Sequence, residues 1–65
     1  MEAIKNYRIK KGLSQEQLAR LMGTTQAAVA MWETGARMPR ASKIPKLAEV
    51  LGCTVADLYT NNATA

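Results

Sequence analysis

Sixty-five residues with a formal charge of +4 hold one small domain and exclude a second, and so short a chain stays folded only if its helices pack efficiently. Nearly half the residues are hydrophobic, at 48%, with one cysteine and no histidine. Buried aliphatic side chains must therefore supply the stability, an internal disulfide is excluded, and a zinc site lacks its usual ligands. The positive balance favours a polyanionic partner. No run reaches the roughly 20 apolar residues that span a bilayer. Met1 opens a charged segment, MEAIKNYRIKKG, with no apolar stretch behind it, so neither a membrane anchor nor a secretory signal is expected, and a reducing, cytoplasmic setting is.

The first predicted helix runs from Glu2 or Ala3 to Lys11. Glu2 lies near its positive end, Lys10 and Lys11 near its negative end, and Gly12 stops it. Ile4, Tyr7 and the stem of Lys11 face inward, with Leu13 just beyond. Arg8 falls four residues after Ile4, on or beside the buried face, where an arginine can snorkel its guanidinium to water. Ser14 and Gln17 then give the S-x-x-Q pattern of a capping box at the start of a second helix. In it Leu18, Leu21 and Met22 recur at i, i+3 and i+4, the spacing of an amphipathic helix. With Leu18 and Met22 as the buried pair, Leu21 is left half exposed. Ala19 faces the turn, where a larger side chain would push the helices apart.

Gly23 closes the second helix by taking a left-handed conformation. Thr25 caps a third helix from about Gln26 to Glu33, with Val29 and Trp32 as its core stripe. The indole N–H of Trp32 requires a partner that the sequence does not identify. The other side of this helix carries Gln26, Ala27 and Met31 with Ala30 between them, a small, uncharged surface open to close approach. The segment TGARMPRASK reads as a loop marked by Gly35 and Pro39 and studded with Arg37, Arg40 and Lys43. A fourth helix, capped by Arg40 to Ser42, continues to Leu51, with Pro45 tolerated in or near its first turn. Ile44, Leu47, Ala48 and Leu51 form its apolar face. Gly52 ends it, Cys53 reads as a small buried hydrophobe, and Thr54 with Asp57 opens a fifth helix in which Val55, Leu58 and Tyr59 close the core. A polar, frayed tail occupies residues 61–65.

Two helices joined by a short turn containing glycine are the physical content of a helix-turn-helix, whose second helix enters a DNA major groove. The run SQEQLARLMGTTQAAVAMWETG, with KKGLSQ before it and P-x-x-x-x-x-P-x-L-A-x-x-L-G after it, resembles the Cro and repressor type of helix-turn-helix regulators, the XRE family of phage and bacterial transcription factors. The joint spacing of Gln15, Ala19, Gly23, Val29, Trp32, Glu33 and Gly35 carries the resemblance. It implies an all-α, compact five-helix lambda-repressor-like DNA-binding domain over residues 1–65, with the helix-turn-helix at helices 2 and 3. It also implies a structural ion pair between Arg8 and Glu33, Gln15 set against the DNA backbone, and a dimer surface around the loop before helix 4 and helix 5. Met38, Leu58 and Tyr59 are the candidates for that surface.

A helix about 10 to 12 Å across fits a major groove about 12 Å wide only if its leading side chains are small or elongated. Gln26 sits in the first turn, and its amide donates and accepts together, matching the N6 and N7 edge of adenine. Ala27 can touch a thymine methyl, Met31 offers a flexible apolar contact further along, and Thr25 can reach a phosphate or a base besides capping. The plain alternatives are a solvated glutamine at position 26 and core packing at Met31. Ser14 and Gln15 at the start of helix 2 sit where free N–H groups attract a phosphate. Arg37, Arg40 and Lys43 would lie over a flanking strand, or else serve only to keep the loop soluble.

The expected function is a sequence-specific double-stranded DNA-binding transcriptional regulator of the repressor kind, binding an inverted repeat as a homodimer without metal or cofactor. An antitoxin of the same fold, with a toxin as protein partner, would be marked by an exposed apolar patch at Leu21 or Tyr59. An interaction module without DNA binding is the other alternative. Enzyme chemistry finds no footing. The carboxylates of Glu2, Glu16, Glu33, Glu49 and Asp57 are scattered over separate elements, and no histidine or activated nucleophile accompanies them.

Overall fold

The apolar spacing resolves into five helices, α1 (Glu2–Lys10), α2 (Gln15–Met22), α3 (Gln26–Thr34), α4 (Ile44–Leu51) and α5 (Val55–Tyr59), with a 3₁₀ turn at Ala41–Lys43 before α4. A computed structural model describes residues 1–60, so the tail expected at 61–65 lies outside the described residues. There is no strand among the described residues. Each helix supplies one side chain to a common centre: Ile4, Leu18, Val29, Leu47 and Leu58 are all under 2% exposed. Burying a side chain of this size contributes roughly 1.5 to 3 kcal/mol, and five of them from five elements tie every helix to the others. Ala3 and Pro39 are also buried.

Short-range chemistry explains where the helices begin. At α2 the Ser14 hydroxyl accepts from Gln17 N–H at 3.0 Å while the side-chain Oε1 of Gln17 accepts from Ser14 N–H at 2.8 Å. The same reciprocal box joins Thr54 and Asp57 at 3.1 and 3.0 Å. That box matters most at α5, since a helix of five residues has too few internal bonds to form unaided. Thr25 Oγ1 accepts from Ala28 N–H at 3.1 Å and starts α3. At α4 the cap expected from Arg40 to Ser42 does not form. The 3₁₀ turn makes no side-chain cap bond, and Pro45 sits in the first turn of α4, where its missing N–H has no partner to lose.

The turn between α2 and α3 depends on Gly23, which holds φ +69° and lets Thr24 N–H donate to Ala19 O at 2.9 Å. A Cβ at this position would meet nothing within 4 Å, so a side chain there is opposed by backbone conformation alone. Gly23→Ala should lower unfolding stability by about 1 to 2 kcal/mol, the cost of forcing an L-residue into the left-handed region. Urea denaturation checks this, and a variant as stable as the parent would show that the turn can relax.

Three expectations for α5 need correction. Val55 is 40% and Tyr59 59% exposed, so only Leu58 closes the core. The helix packs on α1 and α4, and one short turn against two neighbours buries a single side chain while its flank stays open. Leu58, at 1% exposure, is consequently spent on the interior and has almost no free surface to offer as the expected dimer candidate. Cys53 is half-buried against the core. Burial pushes its thiol pKa up, with the Asp57 carboxylate adding to the rise, so the unreactive protonated form prevails at neutral pH.

Candidate nucleic-acid interface

The third helix turns Val29, Trp32 and Glu33 inward, which leaves Gln26, Ala27 and Met31 outward. All three are exposed, Met31 by 36%, with Ala30 half-buried between them. No charged side chain lies on this edge of the helix, and all three of its members reach solvent. The indole N–H of Trp32 donates to no described protein group. Since no buried side-chain nitrogen or oxygen is left without a partner among the described residues, that N–H reaches solvent.

Behind the edge lies a continuous set of polar contacts. Arg8 Nε lies 2.6 Å from Glu33 Oε2, and Arg8 Nη2 donates to Glu33 Oε1 at 3.3 Å. Arg8 Nη1 donates to the Leu13 carbonyl at 2.8 Å, so the arginine also pins the connection from α1 to α2. The two side chains are 11% and 3% exposed, and a charge this deep is tolerated only when its hydrogen-bonding capacity is met. Glu33 Oε1 also accepts from Gln15 Nε2 at 3.0 Å, and Gln15 Oε1 accepts from Gln26 Nε2 at 3.4 Å. The sequence reading missed this link from Glu33 through Gln15 to Gln26. Its signal was the pair of glutamines standing first in each helix of a tight turn, where the two amides meet.

Beside Gln15, the capping box occupies the N–H groups of Ser14 and Gln17. Those of Gln15 and Glu16 find no acceptor among the described residues and remain directed out of the helix end. Glu16 is exposed and stands 3.9 Å from Arg20, a surface pair of little energetic weight. On the far side of α3, a cleft of about 270 Å³ is lined by Thr24, Met31, Trp32, Arg37, Arg40 and Lys43 and by no acidic side chain. Arg37 and Arg40 are exposed. Lys43 differs from them, since its ammonium donates to the Met22 carbonyl at 3.3 Å, at the negative end of the α2 dipole. A wider groove of about 630 Å³ runs between α1, α3 and α5, with the exposed side chains of Met38 and Tyr59 on its walls.

An exposed, uncharged helix edge held over a second helix by a glycine turn, between free amides and arginines, defines a class of DNA-binding domain. Residues 4–58 match the family model described as helix-turn-helix, and the chain belongs to that family, in the XRE type of DNA-binding transcriptional regulators. It is 28% identical over 61 residues, 94% of this chain and 55% of the relative, to the cryptic phage CTXphi transcriptional repressor RstR of Vibrio cholerae. The chain thus spans about half the length of that curated relative. No solved structure matches it significantly. Among the described residues, no cluster of His, Cys, Asp and Glu could hold a metal ion, and no helix is long and apolar enough to cross a membrane.

Proposed function

We propose that this chain is the operator-reading domain of a repressor, which lays α3 in the major groove and blocks transcription by occupying the promoter. The observation that carries the reading is the exposed, charge-free edge of Gln26, Ala27 and Met31, flanked by free N–H groups on one side and by Arg37 and Arg40 on the other. Gln26 reads a base through its amide, Ala27 and Met31 supply apolar contacts, and Thr25 reaches a base or the adjoining phosphate. Ser14 and Gln15 hold a phosphate at the α2 N-terminus, where Gln15 keeps one N–H beyond its bond to Glu33. Arg37 and Arg40 neutralise the flanking strand, and Lys43 joins them with the two N–H groups that Met22 leaves free. The kinship with a phage repressor supports the sign of regulation.

One such domain reads few base pairs, so useful affinity calls for a homodimer on an inverted repeat, with half-site centres about 34 to 36 Å apart. Met38 and Tyr59 share one groove and suit a self-complementary contact. A toxin or other protein partner would need a joined apolar surface, whereas Leu21 lies in a separate small cleft with Leu13, Gln17 and Arg20. Selection of bound sites from random duplexes tests the reading. The parent should enrich an inverted repeat, and Gln26→Ala should lose about 1 to 3 kcal/mol of discrimination at one base pair per half-site. Failure to enrich any site, or an unaltered preference in the variant, would sink it.

A further inference from the structure

Glu33 stands on the buried side of α3, 3% exposed at its side chain, yet the contacts that leave it end at the outward edge of the same helix. The geometry points to Glu33 as a specificity-determining positioning residue that touches no DNA and fixes, through Gln15, which end of the Gln26 amide faces the base. This rests on the reading of Gln26 as a base contact and extends it to the source of that residue's orientation.

The two ends of a glutamine amide have nearly the same shape and exchange by half a turn, so an isolated surface glutamine presents either end. A carboxylate, in contrast, only accepts. Gln15 must therefore direct its NH₂ group at Glu33 Oε1, 3.0 Å away, which leaves its own carbonyl oxygen toward Gln26. Facing an acceptor at 3.4 Å, Gln26 must in turn present its NH₂ group. One buried charge thus sets two successive amides. Arg8 engages both carboxylate oxygens, so Glu33 cannot rotate out of the series. The consequence at the surface is a Gln26 whose carbonyl oxygen and remaining N–H lie on determined sides. A base edge bearing a donor beside an acceptor, such as N6 and N7 of adenine, then fits in one register, while a turned amide would set donor against donor.

Two variants break the series at different points. Gln15→Met removes the middle member and leaves the Arg8 and Glu33 pair in place. Arg8→Met with Glu33→Gln replaces the charge by an amide that can offer either end. In the free protein, NMR should show one Gln26 side-chain proton shifted and slowed in exchange, and both variants should return the pair to the values of a solvated glutamine. On DNA, the readout is the affinity ratio between the selected duplex and one changed at the base pair that Gln26→Ala ceases to discriminate. A bidentate contact gives a ratio of roughly 5 to 150, and both variants should fall to about its square root or lower. A merely structural Glu33 would lower melting temperature and weaken all duplexes alike, leaving the ratio intact. Folded variants with the parental ratio and parental Gln26 signals would overturn the inference alone. An unaltered preference in Gln26→Ala would overturn it together with the base-contact reading. Should the double variant unfold, Arg8→Met with Glu33→Leu, which also removes the acceptor that fixes the Gln15 amide, takes its place.

Discussion

Arg8→Met alone and Glu33→Leu alone will each cost about 3 to 5 kcal/mol of stability, and the double variant will cost less than either. The difference arises from what each change leaves behind. With Glu33→Leu, the guanidinium retains only the Leu13 carbonyl at 2.8 Å. With Arg8→Met, the carboxylate retains only the Gln15 amide at 3.0 Å. Either residual charge stays inside a site where the partners are 11% and 3% exposed, and an uncompensated buried charge costs more than the pair contributes. Replacing both by apolar side chains removes the charge and the desolvation penalty together. Domains of this kind rarely exceed about 5 to 15 kcal/mol of total stability, so each single variant should be substantially unfolded at 37 °C. Urea denaturation followed by circular dichroism reads all three proteins, and losses that simply add would argue against the contact.

Removing Arg37 and Arg40 together will act on affinity and leave the fold intact. Both side chains are exposed and neither makes a hydrogen bond or ion pair to another described residue, so alanine at both positions should shift the melting temperature little. If each arginine neutralises one phosphate, a dimer loses four contacts, and the slope of log affinity against log salt should flatten by about 3.6, at roughly 0.9 per phosphate. At 0.15 M salt the same four contacts correspond to roughly a thousandfold weaker binding. The base preference set by Gln26 should persist, because these contacts position the protein without reading sequence. A slope that moves by less than about one would assign the two arginines to solubility and remove the cationic loop from the interface.

Much of the architecture was legible because it depends on neighbours along the chain. The boxes at Ser14 with Gln17 and Thr54 with Asp57, and the stop at Gly23, involve atoms within a few residues of one another. Periodicity placed Leu18, Met22, Val29, Leu47 and Leu51 in the interior, and they are buried. The same rule misjudged Val55 and Tyr59, because in a helix of five residues apolar spacing cannot tell which side a neighbour will cover. The 3₁₀ turn at Ala41–Lys43 escaped notice for a similar reason, since a turn of three residues carries no periodic pattern.

Residue order by itself determined where α2, α3 and α5 begin, the apolar faces of the longer helices and the family, because capping bonds and the 3.6-residue period are local properties. Only the tertiary structure decided that Leu58 and not Tyr59 is enclosed and that Lys43 closes the end of α2, and it sets Arg8 against the carboxylate, 25 residues away, that the family resemblance implied. It alone joined Glu33, Gln15 and Gln26 across α2 and α3. Hydrogen bonds act over about 3 Å, and which polar groups come within that range is settled by how helices pack, not by their spacing along the chain.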